Sequence, residues 1–409
     1  MKKLTLVLTM LTLSISISFA QEVQIHGFIS QGGLYSTEYS YIAENSKDFS
    51  LDLQEIGINF QTDVSDKLHL GIQLLSRDVG VYGEGRVTVD WAYGDYYISD
   101  ALKLAFGRVK NRLGLYTTIQ DFDFLRTWAV LPTAIYDLGL RTVNATLDGV
   151  QIHGNLDTKL AGNLDYAITY GKLNLGRTSD IAAYAGQLTT YAVEAATTKY
   201  NLGVNAVYNT PLDGLRLNGT YLRTEQFAFD PIHQTLDLTQ AGMGVLNFDY
   251  HIETDIDNIY AGAQYLFNKL EITAEYNMGT RHVKEYITGL NQTVLDMIGK
   301  GKPELSDEKY YGGYLGATYR LNQNIGVGGY YQIYMRNDDL DDEDPRKSTS
   351  DIALSLAYNI GYNMVIKLEG HFVNGLGPLS VSLNDELTGD LSDLEETWMY
   401  GVAKISYNF

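Results

Sequence analysis

Apolar residues beyond position 20 recur at every second position, in segments of about ten residues that polar stretches separate. The clearest segment covers 270–278, LEITAEYNM, in which one face is apolar and the other is polar or small. A period of two is typical of a strand with two unlike faces, whereas an amphipathic helix repeats every 3.6 residues. About ten residues is also the length that a tilted strand needs to cross a bilayer. The pattern therefore predicts an all-β protein whose strands span a membrane.

The alternation predicts sixteen strands, at 23–35, 52–62, 67–78, 86–98, 102–109, 147–157, 163–171, 198–209, 215–224, 253–266, 270–281, 309–320, 325–336, 348–360, 363–374 and 396–409. After the first strand, short connections with turn-forming residues, such as 63–66 and 322–324, alternate with long polar ones. This arrangement is typical of a closed antiparallel barrel in a bacterial outer membrane, with short periplasmic turns and long extracellular loops. The alternative is a soluble periplasmic β-protein, whose apolar faces would pack against a second sheet.

Aromatic residues cluster near the predicted short turns and the C-terminus, where a girdle would meet the lipid headgroups. The seven that fit this position are Phe60, Tyr208, Tyr265, Phe267, Tyr319, Tyr358 and Tyr407. Aromatic residues scattered through ordinary strands would not cluster in this way, so the distribution favours a membrane barrel.

The N-terminus has the pattern of a secretory signal peptide: basic residues at 2–3, an apolar run at 4–13 and a small-x-small site at 18–20. The run is shorter than the roughly 20 residues that a membrane-spanning helix needs. We therefore expect residues 1–20 to be removed on export to the outer membrane, and residues 21–409 to form a single barrel domain.

The overall composition excludes several kinds of chemistry. The chain has no cysteine, so it has neither disulfides nor thiolate sites, and its net charge of −20 argues against a nucleic-acid partner. The seven histidines form no His-x-x-x-His pair, and no Gly-x-Ser-x-Gly motif is present. We expect no cofactor, no dedicated metal site and no enzymatic activity, and we interpret the acidic run at 338–344 as a solvated loop.

Three short features resemble the trimeric, sixteen-stranded porins of Gram-negative bacteria, in a divergent or uncharacterised branch. The last strand alternates and ends in Tyr407 and Phe409, the opening strand begins VQIHGF at 23–28, and Gly107-Arg108 leads into a long connection at about 110–146. The resemblance implies that Tyr407 and Phe409 form the assembly signal read by the barrel assembly machinery. It also implies that the third long loop folds into the pore, although the acidic Gly-rich signature of the family is absent from 120–126.

The resemblance further implies a homotrimer in contact with outer-membrane lipid and lipopolysaccharide. Its function would be a water-filled channel for passive diffusion of small hydrophilic solutes and ions, since a barrel of 16 strands is wide enough for an aqueous lumen. The alternatives are a receptor or adhesin that acts through its loops, and an outer-membrane barrel hydrolase, for which the acids and histidine at 249–255 are the candidates.

Charged residues on the loop and the facing wall would set a transverse field across such a pore. The acidic candidates are in the loop, and strand parity places several basic candidates on the lumen face. The full set is Asp121, Asp123, Asp137, Arg77, Arg108, Lys110, Arg112, Arg126, Lys367, His371 and Lys404.

The segment from 87 to 108 does not fit the simple alternation. Asp90 and Asp95 have opposite parity, and Arg108 shares the parity of the outward residues Leu104 and Phe106. Either a β-bulge shifts the register, or this face contacts a neighbouring protomer rather than lipid.

Overall fold

The computed structural model describes residues 22–159, 161–176, 195–239, 244–337, 343–380, 382–389, 391 and 393–409. The expected signal peptide at 1–20 and most of the acidic run at 338–344 lie outside these residues. In the described chain, sixteen strands pair antiparallel with their sequence neighbours, and the first pairs with the last, so that the barrel closes.

The sixteen barrel strands are β1 Gln24–Ser36, β2 Ser50–Ser65, β3 Leu68–Val79, β4 Tyr82–Ser99, β5 Leu102–Lys110, β6 Thr146–Asp157, β7 Asn163–Lys172, β8 Tyr200–Asn209, β9 Leu215–Phe229, β10 Gly244–Phe267, β11 Leu270–Thr288, β12 Glu304–Arg320, β13 Ile325–Asn337, β14 Ser348–Ile360, β15 Met364–Asn374 and β16 Thr397–Asn408. Three shorter strands, Asn174–Leu175, Ala196–Thr197 and Ile232–Leu238, lie in the connections, and the last two also pair with the barrel strands β9 and β10, respectively. The prediction of a sixteen-stranded antiparallel barrel is confirmed.

Strands β10, β11 and β12 are longer than the sequence pattern predicted. Their ladder continues towards the long-loop end, as far as the pair between Asp249 and Thr288. Both faces of these extensions carry polar residues. The alternation of apolar and polar positions therefore disappears there, although the backbone hydrogen bonds between the strands continue.

The connection between β3 and β4 corrects the expected alternation of short turns and long loops. It consists of Gly80 and Val81 alone, at the end where the other connections are long. Gly80 has a φ of +61°, and a Cβ there would lie 2.3 Å from the carbonyl oxygen of Ile42. Glycine is therefore required both for the turn and for its contact with the first long loop.

Helical structure in the described residues is confined to short segments within the connections. The two α-helices are Arg141–Ala145 and Gln292–Met297. No helix in this part of the chain is long and apolar enough to cross a membrane.

The outer face of the barrel carries an apolar band. Exposed side chains such as Leu354, Leu356 and Leu368 alternate with buried neighbours along their strands. The seven aromatic residues predicted for the girdle share the outward parity of their strands, close to the short turns. An apolar outer band edged by aromatic residues is the surface that a lipid bilayer requires.

A β-bulge in β4 resolves the parity conflict between Asp90 and Asp95. Gln73 pairs with Trp91 and Leu74 pairs with Val89, which leaves Asp90 as the additional residue. Both aspartates consequently point to the inside of the barrel, as the bulge alternative predicted.

Replacing Leu354 with Arg tests the apolar band. This side chain is 60% exposed midway along β14, so the charge should lower the free energy of unfolding by about 2–4 kcal/mol in lipid. The matched control is Leu305→Arg, on the extension of β12 beside Lys284, where we expect a loss of about 0–1 kcal/mol. Urea unfolding in phospholipid vesicles measures both, and equal losses at the two positions would contradict the assignment of the band.

Candidate functional site

Residues 111–145, here called the inserted loop, run inside the barrel and pack against its far wall. Trp128 is 1% exposed and makes edge contacts with Tyr314 of β12 and Tyr330 of β13. The apolar cluster between the loop and the wall contains Leu113, Leu115, Tyr116, Trp128, Leu131, Ile135, Tyr136, Leu222, Tyr260, Tyr314, Tyr330 and Ala353. Burial of this much apolar surface fixes the loop in one position.

Side chains of the wall accept hydrogen bonds from the loop backbone. Glu275 of β11 accepts from the N–H of Leu115 at 2.7 Å. Glu369 of β15 accepts from two successive N–H groups, those of Ala129 at 2.9 Å and Val130 at 2.8 Å. Because buried N–H groups need partners, these carboxylates allow a loop without regular structure to lie inside the barrel.

Inward-facing glycines on two adjacent strands make room for the loop. On β12, a Cβ at Gly312 would lie 2.3 Å from the carbonyl oxygen of Ala134, and one at Gly316 would lie 2.5 Å from Trp128. Gly326 and Gly328 of β13 lie beside the same stretch of the loop. We call these four residues the glycine floor, because the loop packs directly on them. A larger side chain at Gly312 or Gly316 would occupy the space of the loop.

Asp123 of the inserted loop is the centre of a buried group of charges. Its Oδ1 lies 2.8 Å from Arg126 and 3.5 Å from Lys367 of β15. Its Oδ2 lies 2.9 Å from Lys404 of β16 and accepts a hydrogen bond from Ser406 at 2.6 Å. All four partners are buried or nearly so, with Lys367 at 0% exposure.

The charge group extends from Asp123 to the neighbouring strands. Glu55 of β2 bridges Lys404 at 3.1 Å and Arg77 of β3 at 3.0 Å. On the other side, Arg141 pairs with Asp121 at 2.6 Å and with Asp90 at 2.8 Å. The central charge cluster, as we name it, comprises Arg77, Arg126, Arg141, Lys367, Lys404, Glu55, Asp90, Asp121 and Asp123.

Two aspartates of the inserted loop have opposite pKa shifts. Burial alone would raise the pKa of Asp123, but the ammonium groups of Lys404 and Lys367 hold it below its usual range. Burial raises the pKa of Asp137, which the backbone N–H groups of Gly139 and Leu140 offset only in part. Asp123 is thus held as an anion, whereas Asp137 closes a local turn.

The sequence-predicted site residues fall into four groups. Asp121, Asp123, Arg77, Arg126, Lys367 and Lys404 come together in the central charge cluster. Asp137 hydrogen-bonds the loop backbone, and His371 is fully buried between Asp351 at 2.9 Å and Glu369 at 3.1 Å. Lys110 and Arg112 line a cavity beside the loop.

Arg108 lies on the outer face and not in the lumen, which corrects its prediction as a pore residue. It lies on the same face of β5 as the exposed Leu104 and Phe106, and it forms a two-pronged ion pair with Asp148 of β6 at 2.7 and 2.9 Å. The outward parity of β5 persists as far as this residue, so the side chain cannot reach the inside.

The cavity beside the inserted loop has a volume of about 440 Å³. Gly114, Leu115 and Thr118 of the loop form one side, and inward residues of β4 to β9 form the other. We call this cavity the side passage. The polar residues that line it are Tyr93, Asp95, Lys110, Arg112, Thr118, Gln151, His153, Asp165, Asn205 and Arg216.

Glu55, Glu275 and the glycine floor were not predicted from the sequence. Parity could have placed Glu55 and Glu275 on the lumen face, since each alternates with apolar residues that face outwards. The inward glycines also carried a signal, because consecutive small residues on the lumen face of neighbouring strands indicate that another segment packs there.

The side chains suggested for a hydrolytic site contact partners on neighbouring strands. Asp249 contacts His233, His251 stacks on Tyr286, and Glu253 accepts a hydrogen bond from Tyr286 at 2.8 Å. Within the described ranges, no three His, Asp or Glu side chains are grouped so that they could hold a metal ion.

Comparison with solved structures identifies the fold. OmpT of Vibrio cholerae is similar with a TM-score of 0.56 at 10% identity, over 96% of this chain and 99% of that one. OmpF of Salmonella typhi, in a complex with daunomycin, gives 0.55 at 14% identity, over 95% and 98%. An anion-selective porin from Comamonas acidovorans gives 0.53 at 12% identity, over 95% and 100%.

No protein-family model matches the sequence, and no curated protein matches it either. The structural likeness therefore rests on the course of the chain. The protein has the closed antiparallel barrel fold of outer-membrane porins, in a divergent sequence.

Replacing Asp123 with Asn tests the central charge cluster. The substitution removes the carboxylate that contacts both Lys367 and Lys404, and an unpaired buried charge costs about 3–5 kcal/mol. Urea unfolding of the refolded protein should show a loss of this size. The control is Asp66→Asn, in an exposed turn, where we expect less than about 0.5 kcal/mol.

The stability difference between the wild type and Asp123→Asn also depends on pH. Because the folded pKa of Asp123 is lowered, its contribution is fully present above the unfolded value of about 3.9 and is lost as pH falls below it. The stability difference between the wild type and Asp123→Asn should thus shrink as pH falls from about 4 towards 3. A difference that grows over this range would contradict the assignment.

Proposed function

We propose that the protein is an outer-membrane porin that allows passive diffusion of small hydrophilic solutes and ions. The observation that supports this function best is a polar side passage inside a closed barrel whose outer face is apolar. A barrel of sixteen strands has a lumen wide enough for both an inserted loop and water. The likeness to porins and outer-membrane channels agrees with this function.

In this proposal the inserted loop sets the width of the channel. Its packing on the glycine floor fills the lumen beside β11 to β16, so the aqueous route runs along β4 to β9. The constriction is then formed by Gly114, Leu115 and Thr118 of the loop, together with Arg112 at its start and Lys110 at the end of β5. The mature chain would begin after the predicted signal peptide and insert with the help of the barrel assembly machinery, with Tyr407 and Phe409 as the signal.

We further propose that the protein is a homotrimer in contact with lipid and lipopolysaccharide. The ion pair between Arg108 and Asp148 lies on the outer face, where an isolated Arg at mid-depth costs about 2–4 kcal/mol against lipid. Gln31 of β1 and Gln54 of β2 also face outwards and hydrogen-bond each other at 3.1 Å. A protein partner on this side would satisfy both pairs, and one of the similar structures is described as a trimer form of OmpT.

Planar-bilayer recording tests the channel function. Purified wild-type protein should produce stable stepwise openings, in groups of three if the trimer inserts as a unit. Heat-modifiable, folded protein without conductance would contradict the porin proposal. That result would favour a receptor or adhesin, whose long loops would then be the functional surface.

Replacing Gly316 with Val tests the role of the inserted loop. A Cβ at this position would lie 2.5 Å from Trp128, so we expect the loop to be displaced and the single-channel conductance to rise. The matched control is Gly370→Val, because a Cβ there has no neighbour within 4 Å. An unchanged conductance in Gly316→Val, with the control also unchanged, would show that the loop does not limit the channel.

A further inference from the structure

Three basic side chains line the side passage without a carboxylate partner. They are Lys110 at the end of β5, Arg112 at the start of the inserted loop and Arg216 at the start of β9. Among the described residues, no carboxylate oxygen lies within 4.0 Å of their charged nitrogens. The cations of the central charge cluster differ, because each of them is paired with at least one carboxylate.

The three cations occupy successive heights along the passage. Lys110 lies at the long-loop end of its strand, with its ammonium 4.6 Å from the ring centre of Trp91. Arg112 extends towards His153, and its Nη2 lies 3.4 Å from Nδ1 of that ring. Arg216 is the second residue of β9, close to a short turn, and its Nε is buried without a hydrogen-bond partner in the described chain. A solute that crosses the passage meets positive charge at each level.

The two carboxylates in the passage already have partners. Asp95 lies 3.0 Å from Nε2 of His153. Asp165 accepts hydrogen bonds from Asn155 at 2.6 Å and from Asn209 at 3.1 Å. The lining therefore carries three cations against two carboxylates, which gives it a net positive charge.

We propose that the side passage binds small oxyanions and passes anions in preference to cations. A guanidinium recognises carboxylate or phosphate oxygens through paired N–H donors, and an ammonium adds a compact positive charge. A volume of about 440 Å³ accommodates such an ion together with water. This inference rests on the proposed channel function and assigns its solute class.

The test uses full-length protein in planar bilayers under a KCl gradient, with the variants Lys110→Gln, Arg112→Gln and Arg216→Gln. At about 6 Å in water, removing one positive charge lowers the local chloride concentration about threefold and raises that of potassium about threefold, so each variant should lower the chloride-to-potassium permeability ratio about tenfold. Arg108→Gln makes the same charge change on the outer face and should retain the wild-type ratio.

Inorganic phosphate and succinate serve as the two oxyanion probes. Millimolar concentrations of either should reduce the chloride current of the wild type, and Arg112→Gln should weaken that block at least threefold. Block by one probe alone identifies whether phosphate or carboxylate is the better ligand.

Two results separate the possible failures. A wild-type channel that prefers cations, or that keeps its selectivity in all three Gln variants, overturns the oxyanion inference and leaves the porin function intact. Folded protein that forms no channel overturns both.

Discussion

Buried charges inside a barrel are tolerable only when each meets an opposite charge, and Asp123 is where this condition is met for the inserted loop. Lys367 and Lys404 project from neighbouring strands into a space that excludes most water. Without a carboxylate between them, the mutual repulsion and desolvation of the two ammonium groups would destabilise the folded barrel. The loop supplies that carboxylate, and in return its own backbone N–H groups are satisfied by Glu275 and Glu369. The position of the loop and the composition of the wall therefore depend on each other.

This pairing of charges changes where a solute route can lie inside the barrel. The basic wall that strand parity predicted does exist, but its charges face acids at contact distance rather than across water. A charge that is neutralised in this way produces little field in a lumen. The cations without such partners, among them Arg112 and Arg216, lie on the other side of the loop. In the proposed channel, solutes therefore pass on that side, where the lining is polar.

Strand number and orientation were predictable because a bilayer imposes a contrast between the two faces of each strand. The contrast disappears where both faces meet water, and for that reason the extensions of β10 to β12 were missed. The bulge at Asp90 was foreseen as one of two alternatives, since Asp90 and Asp95 could not both face inwards in a regular strand. Which alternative holds was decided only by the pairing of Gln73 with Trp91.

The path of the inserted loop could not be predicted from the pattern of apolar and polar residues, because its apolar residues do not recur at a fixed period. The resemblance to porins suggested that the loop turns inwards, but it implied acids facing a water-filled constriction. The contacts that decide the matter join residues far apart in sequence, such as Asp123 and Ser406. The glycine floor was the one local signal for the path of the loop. It can be recognised only after the strands have been paired, when Gly316 and Gly328 are found on neighbouring strands.

The central claim is that solutes pass beside a loop that stays docked. The chain has no native cysteine, so a cross-link between Thr127→Cys and Gly326→Cys can test this claim without background. A Cβ at Gly326 would lie 3.2 Å from Oγ1 of Thr127, a separation suited to a disulfide. Single-channel conductance is measured before and after oxidation of the double variant. The account predicts that the disulfide forms and that the conductance is unchanged, whereas a channel that closes on oxidation would show that passage requires release of the loop.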